Sequence, residues 1–202
     1  TEYINYANWF SCGLLSMGFK KGNKIATISN NRPEWNFVDL GMAQIGVVHV
    51  PIYPTISEED YNYILRHSDV KAIIISNKTI YKKVAPLTDK IRKIKNIYSF
   101  DEIEGIDSWF QILDTGKMSE ATRMPEVKQL QNNIMPDEMV TLIYTSGTTG
   151  SPKGVMLSHH NLVTNFISTS KAHHLGYKHR ALSFLPLCHV YERMMNYHMQ
   201  YK

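Results

Sequence analysis

Apolar side chains recur at helical spacing from the start of the chain. Ile4, Ala7, Phe10, Leu14 and Leu15 share one face before Gly18 interrupts the pattern, which predicts a helix over residues 4–17. Lys20-Lys21-Gly22-Asn23 reads as a turn, and residues 25–29 are a short apolar run of the buried-strand type. Asn30-Asn31-Arg32-Pro33 is a loop in which Pro33 is suited to the first position of a helix running to about residue 45, with Trp35 packed inward. A second strand covers 47–52 and is closed by Pro51 and Pro54. Ser57, followed by Glu58, Glu59 and Asp60, has the form of an N-cap with an acidic first turn and opens a helix to about residue 67. Residues 71–76 form a third strand around Ile73, Ile74 and Ile75, residues 79–95 a helix interrupted near Pro86, and residues 96–100 a fourth strand.

Strands alternating with helices imply an α/β fold with mostly parallel sheets flanked by helices and joined by right-handed crossovers. Residues 101–137 break that rhythm. They are polar, contain Gly105, Gly116, Pro125 and Pro136, and read as two short helices, 108–113 and 124–132, in a connection between a lobe of residues 1–100 and a second lobe of residues 138–202. The second lobe reads as strands at 139–144, 155–157 and 181–185, with helices at 159–173 and 188–199. No internal repeat is present. The sequence starts Thr1-Glu2-Tyr3 and stops at Lys202 directly after a helical pattern, so the expectation is a piece of a longer protein.

Composition narrows the class only a little. Of 202 residues, 43% are hydrophobic and 20% charged, ordinary for a packed globular chain and unlike a disordered or low-complexity one. No run approaches the roughly 18 apolar residues of a membrane-spanning helix. The net charge of +4 is a weak bias, without the clustered basic and aromatic residues of a nucleic-acid surface. Cys12 and Cys188 make no metal or redox spacing, so a reducing, cytoplasmic compartment is the expectation. The basic run from Lys82 to Lys95 is most simply a solvated helix face; the sharper alternative is peripheral contact with anionic lipid at the inner membrane face.

One stretch carries chemistry: Tyr144-Thr145-Ser146-Gly147-Thr148-Thr149-Gly150-Ser151-Pro152-Lys153-Gly154. It follows an apolar strand and is built of hydroxyl residues and glycines, ending in a lysine. The glycines let the backbone approach a ligand closely and turn N–H groups inward. The hydroxyls of Thr145, Ser146, Thr148 and Thr149 can donate to phosphate oxygens or ligate a hard cation, and Lys153 adds a positive charge. The spacing is neither that of a Walker A loop nor that of a dinucleotide fingerprint.

This stretch resembles the phosphate-binding signature of the acyl-adenylate-forming (AMP-forming) superfamily. The likeness extends through residues 22–28, Asn31-Arg32-Pro33-Glu34-Trp35 and residues 41–54. It continues in Leu185-Pro186-Leu187-Cys188-His189-Val190-Tyr191-Glu192-Arg193, whose His-x-x-Glu-Arg form points to the long-chain fatty acid–CoA ligase branch. The resemblance implies adenylation of a carboxylate by ATP with Mg²⁺, then thioester formation with coenzyme A. It implies that Thr145, Ser146, Gly147, Thr148, Thr149, Gly150 and Lys153 hold the nucleotide phosphates. Thr148 would lie near Mg²⁺ and His189 beside the acyl-adenylate, so that Thr148, Lys153 and His189 form the catalytic set. The fold implied is a truncated part of the large N-terminal domain of such an enzyme. The family's later Tyr-Gly-x-Thr-Glu and Thr-Gly-Asp motifs, its hinge and its C-terminal domain are not in these 202 residues. The expectation is therefore a chain inactive and prone to association on its own, cut from an active parent.

Other readings stay open at this point: a ligase for a different acid or for a carrier-protein acceptor, or a non-catalytic nucleotide-binding protein. Without the resemblance, His189 would be most simply a hydrogen-bonded core residue. Glu192 and Arg193 read as a structural ion pair, with Arg193 facing a pocket as the alternative. His159-His160 and His173-His174 lack the carboxylate or cysteine neighbours of a metal site and read as surface or cap residues. Asn77-Lys78-Thr79 is a glycosylation sequon only in form.

Overall fold

The computed structural model describes residues 2–145, 150–173, 175–176 and 178–201. Its first half follows the alternating pattern closely: helix α1 (Glu2–Ser16), strand β1 (Lys24–Ile28), α2 (Pro33–Gln44), β2 (Val48–Ile52), α3 (Glu58–His67), β3 (Ala72–Ile75), α4 (Lys78–Thr88) and β4 (Asn96–Ser99). Ser57 caps α3 as the sequence leads one to expect, its Oγ accepting the Asp60 N–H at 3.1 Å. The structure adds a second cap, Asn77 Oδ1, which accepts the Ile80 N–H at 3.1 Å at the start of α4.

The chain continues through β5 (Asp107–Ser108), α5 (Phe110–Asn132), β6 (Met139–Thr145), β7 (Lys153–Ser158), α6 (His159–Ala172) and α7 (Val190–Tyr201). One seven-stranded sheet, ordered β5-β4-β3-β1-β2-β6-β7, takes strands from both sides of the 101–137 connection. Its pairs are parallel except for the antiparallel β6–β7 hairpin. Period-2 alternation splits the core into two layers. Ile25, Ala72, Ile74 and Tyr98 face α1, α2 and α5, whereas Ala26, Ile28, Ile73 and Ile75 face α3 and α4.

The structure corrects three local expectations. The two short helices of the connection are a single helix, α5, which runs through Pro125 and packs along α1. Gly116 and Gly13 make that packing feasible: a Cβ on Gly116 would sit 1.7 Å from the Trp9 carbonyl oxygen, and one on Gly13 2.0 Å from that of Ile112. The 181–185 strand is absent among the described residues, because no neighbouring strand lies there to pair with it. Arg193 does not pair with Glu192. Its guanidinium is buried against Asp39, while Glu192 accepts from Asn196 Nδ2.

Candidate active site

Strand β6 delivers the chemistry-bearing stretch to the carboxyl end of the sheet, where parallel strands open a crevice for ligands. Thr145 ends β6 and stands opposite Lys153 across the β6–β7 ladder. Directly opposed residues of an antiparallel pair project to the same face, so hydroxyl and ammonium are cross-strand neighbours. Gly150 adopts φ +121, a conformation that side chains disfavour. Ser146, Gly147, Thr148 and Thr149 lie outside the described residues.

A cavity of about 650 Å³ opens beside this hairpin and brings Thr145, Gly150 and His189 to a common wall. Ile56 and Ile64 from the α3 region, Ile143 of β6 and Val190 of α7 form its apolar part, and Tyr53, Asp60 and Tyr144 its polar part. Burial pushes the Tyr144 phenol up to about 12, and its hydroxyl lies 2.7 Å from His67 Nδ1. Cys188, next to His189, is buried and its thiol is pushed up to about 12 by that burial, so it is an apolar wall group at neutral pH. His189 Nδ1 accepts the Tyr191 N–H at 3.3 Å, which turns the ring back over the start of α7. The cavity thus has an apolar side, suited to a hydrocarbon, and a hydroxyl- and glycine-lined side, suited to phosphate.

Three of the expected site residues therefore meet at one cavity, and Lys153 is paired directly with Thr145 across the β6–β7 ladder. A profile describing AMP-binding enzymes matches residues 2–200. The chain belongs to the AMP-binding enzyme family. Among its relatives are the peroxisomal long chain acyl-CoA synthetase 6 of Arabidopsis thaliana, 31% identical over 192 residues, and a long-chain-fatty-acid–CoA ligase of Mycobacterium bovis, 32% identical over 201 residues. These alignments cover 90% and 96% of this chain but only 26% and 32% of the relatives, so the chain spans about a quarter to a third of their length. Among solved structures, a long-chain-fatty-acid-CoA ligase from Archaeoglobus fulgidus superimposes with a TM-score of 0.81 at 20% identity. That match covers 98% of this chain and 37% of the other, and it shows the shared fold.

Among the described residues, no three His, Cys, Asp or Glu side chains are placed together to hold an ion. The hydroxyl expected near Mg²⁺, Thr148, is outside them.

Sequence reasoning missed the groups that hold the His189 segment in place. Asp39, on α2, is wholly buried with Arg193 of α7 and His49 of β2, and the half-buried Tyr197 of α7 reaches the same carboxylate. Arg193 Nε donates to Asp39 Oδ2 at 3.0 Å, and His49 Nδ1 lies 2.7 Å from Oδ1. Burial alone would raise the Asp39 carboxyl, but the Arg193 charge and the hydrogen bonds from His49 and Tyr197 outweigh it and hold the group far below the usual carboxylate range. Burial depresses His49, whose neutral ring then donates from Nδ1 and leaves Nε2 without a partner. A signal existed: Asp39 stands four residues after Trp35 and three before Met42, on the buried face of its helix, where a carboxylate requires a cation.

Proposed function

We propose that this chain is the phosphate-binding and acid-pocket part of an AMP-forming long-chain fatty acid–CoA ligase. The observation that carries the reading is the cavity whose hydroxyl-lined side is Thr145 and Gly150 and whose apolar side ends at His189 and Cys188. Membership in the AMP-binding family and the long-chain ligase names of its relatives support the same assignment.

In this reading a carboxylate oxygen of the fatty acid attacks the α-phosphorus of ATP, and the bond to the departing pyrophosphate breaks, giving acyl-AMP. The coenzyme A thiolate then attacks the acyl carbonyl, and AMP leaves with the electron pair of the acyl–oxygen bond. Negative charge moves onto the pyrophosphate oxygens in the first step. By their chemistry, the hydroxyl and backbone N–H groups of the 145–150 stretch and the Lys153 ammonium are suited to meet it. Mg²⁺, bound with ATP near Thr148, would supply further charge neutralisation. The Ile56, Ile64 and Ile143 side would keep water from the mixed anhydride.

Two buried free cysteines support a reducing, cytoplasmic setting. Among the described residues no helix is long and apolar enough to cross a membrane. The exposed basic residues between Lys82 and Lys95 support peripheral contact with anionic lipid. Exposed Met156, Leu182 and Phe184, each more than 70% accessible, support association of the 202-residue chain when it is alone.

The test is fatty-acid-dependent exchange of pyrophosphate into ATP by the full-length protein, across short, medium and long acids, with the 202-residue chain as control. Exchange that peaks with long acids in the full-length protein and is absent from the chain alone is expected. Full activity in the chain alone, or no exchange with any acid, would overturn the assignment.

A further inference from the structure

Residues 185–193 carry Cys188 and His189 into the cavity, yet they form no strand and open α7 only at Val190. Such a segment needs another means of fixing its backbone. Two side chains from the β1–α2 unit supply it. Asn31, in the turn that leads into α2, donates from Nδ2 to the Leu185 carbonyl at 2.7 Å. Its Oδ1 accepts the Leu187 N–H at 2.9 Å. One amide thereby closes on both sides of Pro186. The His189 N–H in turn donates to the Pro186 carbonyl at 2.8 Å, so the clamped peptide sets the position of His189.

The second anchor lies one helical turn further on. The Arg193 N–H donates to the His189 carbonyl at 3.2 Å, and the Arg193 guanidinium is bound by Asp39 through Nε and Nη2. Both charged side chains are 1% exposed. Tyr197, one turn later, donates to the same carboxylate, and the Trp35 ring lies 5.6 Å from the guanidinium carbon. The path from the cavity therefore runs His189, Arg193, Asp39, α2, and back through the Asn31 turn.

We infer that Asn31 and Asp39 are positioning residues: together they hold the 185–193 segment so that His189 faces the acid side of the cavity. Neither touches the cavity, and neither belongs to the phosphate stretch. The role of His189 rests on the ligase reading above, whereas the clamp itself does not.

The experiment is thiol labelling of the folded full-length protein, with labelled peptides resolved by mass. A buried thiol reacts only through local opening, so its rate reports the stability of its own segment. Cys188 reports the clamped segment; Cys12, buried in α1, reports the core. Asn31→Ala is expected to speed Cys188 labelling by about tenfold or more, the scale of two lost hydrogen bonds, with the Cys12 rate unchanged. Asp39→Asn, the harsher change, is expected to do the same where the protein remains folded. In fatty-acid-dependent exchange, Asn31→Ala should lower kcat and raise KM for the acid while leaving KM for ATP unchanged. Equal acceleration of both thiols, or none at Cys188, would overturn the clamp whatever the enzyme's substrate. Faster Cys188 labelling with unaltered acid kinetics would overturn the positioning role alone.

Discussion

Gly116→Ala tests the packing that joins α5 to the rest of the fold. The added methyl would lie 1.7 Å from the Trp9 carbonyl oxygen, 2.6 Å from its carbonyl carbon and 2.9 Å from the Gly13 nitrogen. The closest of these is about 1.3 Å inside the 3.0 Å below which real Cβ contacts essentially do not occur. All three atoms are backbone, so no side chain can rotate away and α5 must move off α1 as a body. Alanine gains about 1 kcal/mol over glycine in helix propensity. Overpacking typically costs about 1–3 kcal/mol, and rigid backbone contacts place this case at or beyond the upper end. The net loss is about 2 kcal/mol, which for a chain near 200 residues lowers the melting temperature by roughly 4–8 °C. Thermal melts of wild type and variant, followed by far-UV circular dichroism at matched protein concentration, read this directly. A melting temperature equal to or above wild type would refute the close approach, and with it the placement of α5 as part of the core rather than as a connection.

Other consequences follow from the site. The folded protein keeps His49 neutral because burial depresses it, so below about pH 6.5 the unfolded chain binds a proton that the folded one refuses. Stability should therefore be level above about pH 7.5 and fall on acidification, by up to about 1.4 kcal/mol per pH unit for this group. Urea titrations at several pH values check the sign, and a flat profile down to pH 5 would contradict it. Asp39, held far below the usual carboxylate range, adds stability that is present above about pH 4 and lost as pH falls through its folded value. Lys153→Ala should leave the melting temperature unchanged, since the side chain is exposed, while reducing pyrophosphate exchange by the full-length protein about 10- to 100-fold. Unchanged exchange would remove Lys153 from the phosphate site. The 202-residue chain alone should sediment as an associating species, and a monodisperse monomer would contradict the reading of Leu182 and Phe184 as uncovered surface.

Much of the first half of the fold was legible because local and global signals agree there. Apolar runs such as residues 72–75 are buried on both faces, and Ser57 caps the helix it announces. Gly116 and Pro125 misled for a physical reason. Read locally, they break a helix; in the fold, Gly116 permits contact with α1, and that contact carries α5 through the missing Pro125 donor. Residues 181–185 have the apolar character of a strand, but a strand exists only by pairing, and pairing is not written in the segment itself. The 144–154 stretch stands out in the sequence because hydroxyl residues, glycines and a lysine of shared chemistry fall together at one point of the chain. The Asn31 and Asp39 anchors do not, since each acts on residues more than 150 positions away.

The central claim is that the full-length protein activates a fatty acid as an acyl-adenylate before forming the thioester. Incubation with palmitate and ATP in the absence of coenzyme A, followed by mass spectrometry, addresses it most directly. Palmitoyl-AMP and pyrophosphate in equal amounts are predicted, with conversion to palmitoyl-CoA and AMP when coenzyme A is added. Formation of ADP and phosphate, or AMP release that does not depend on the acid, would contradict the account.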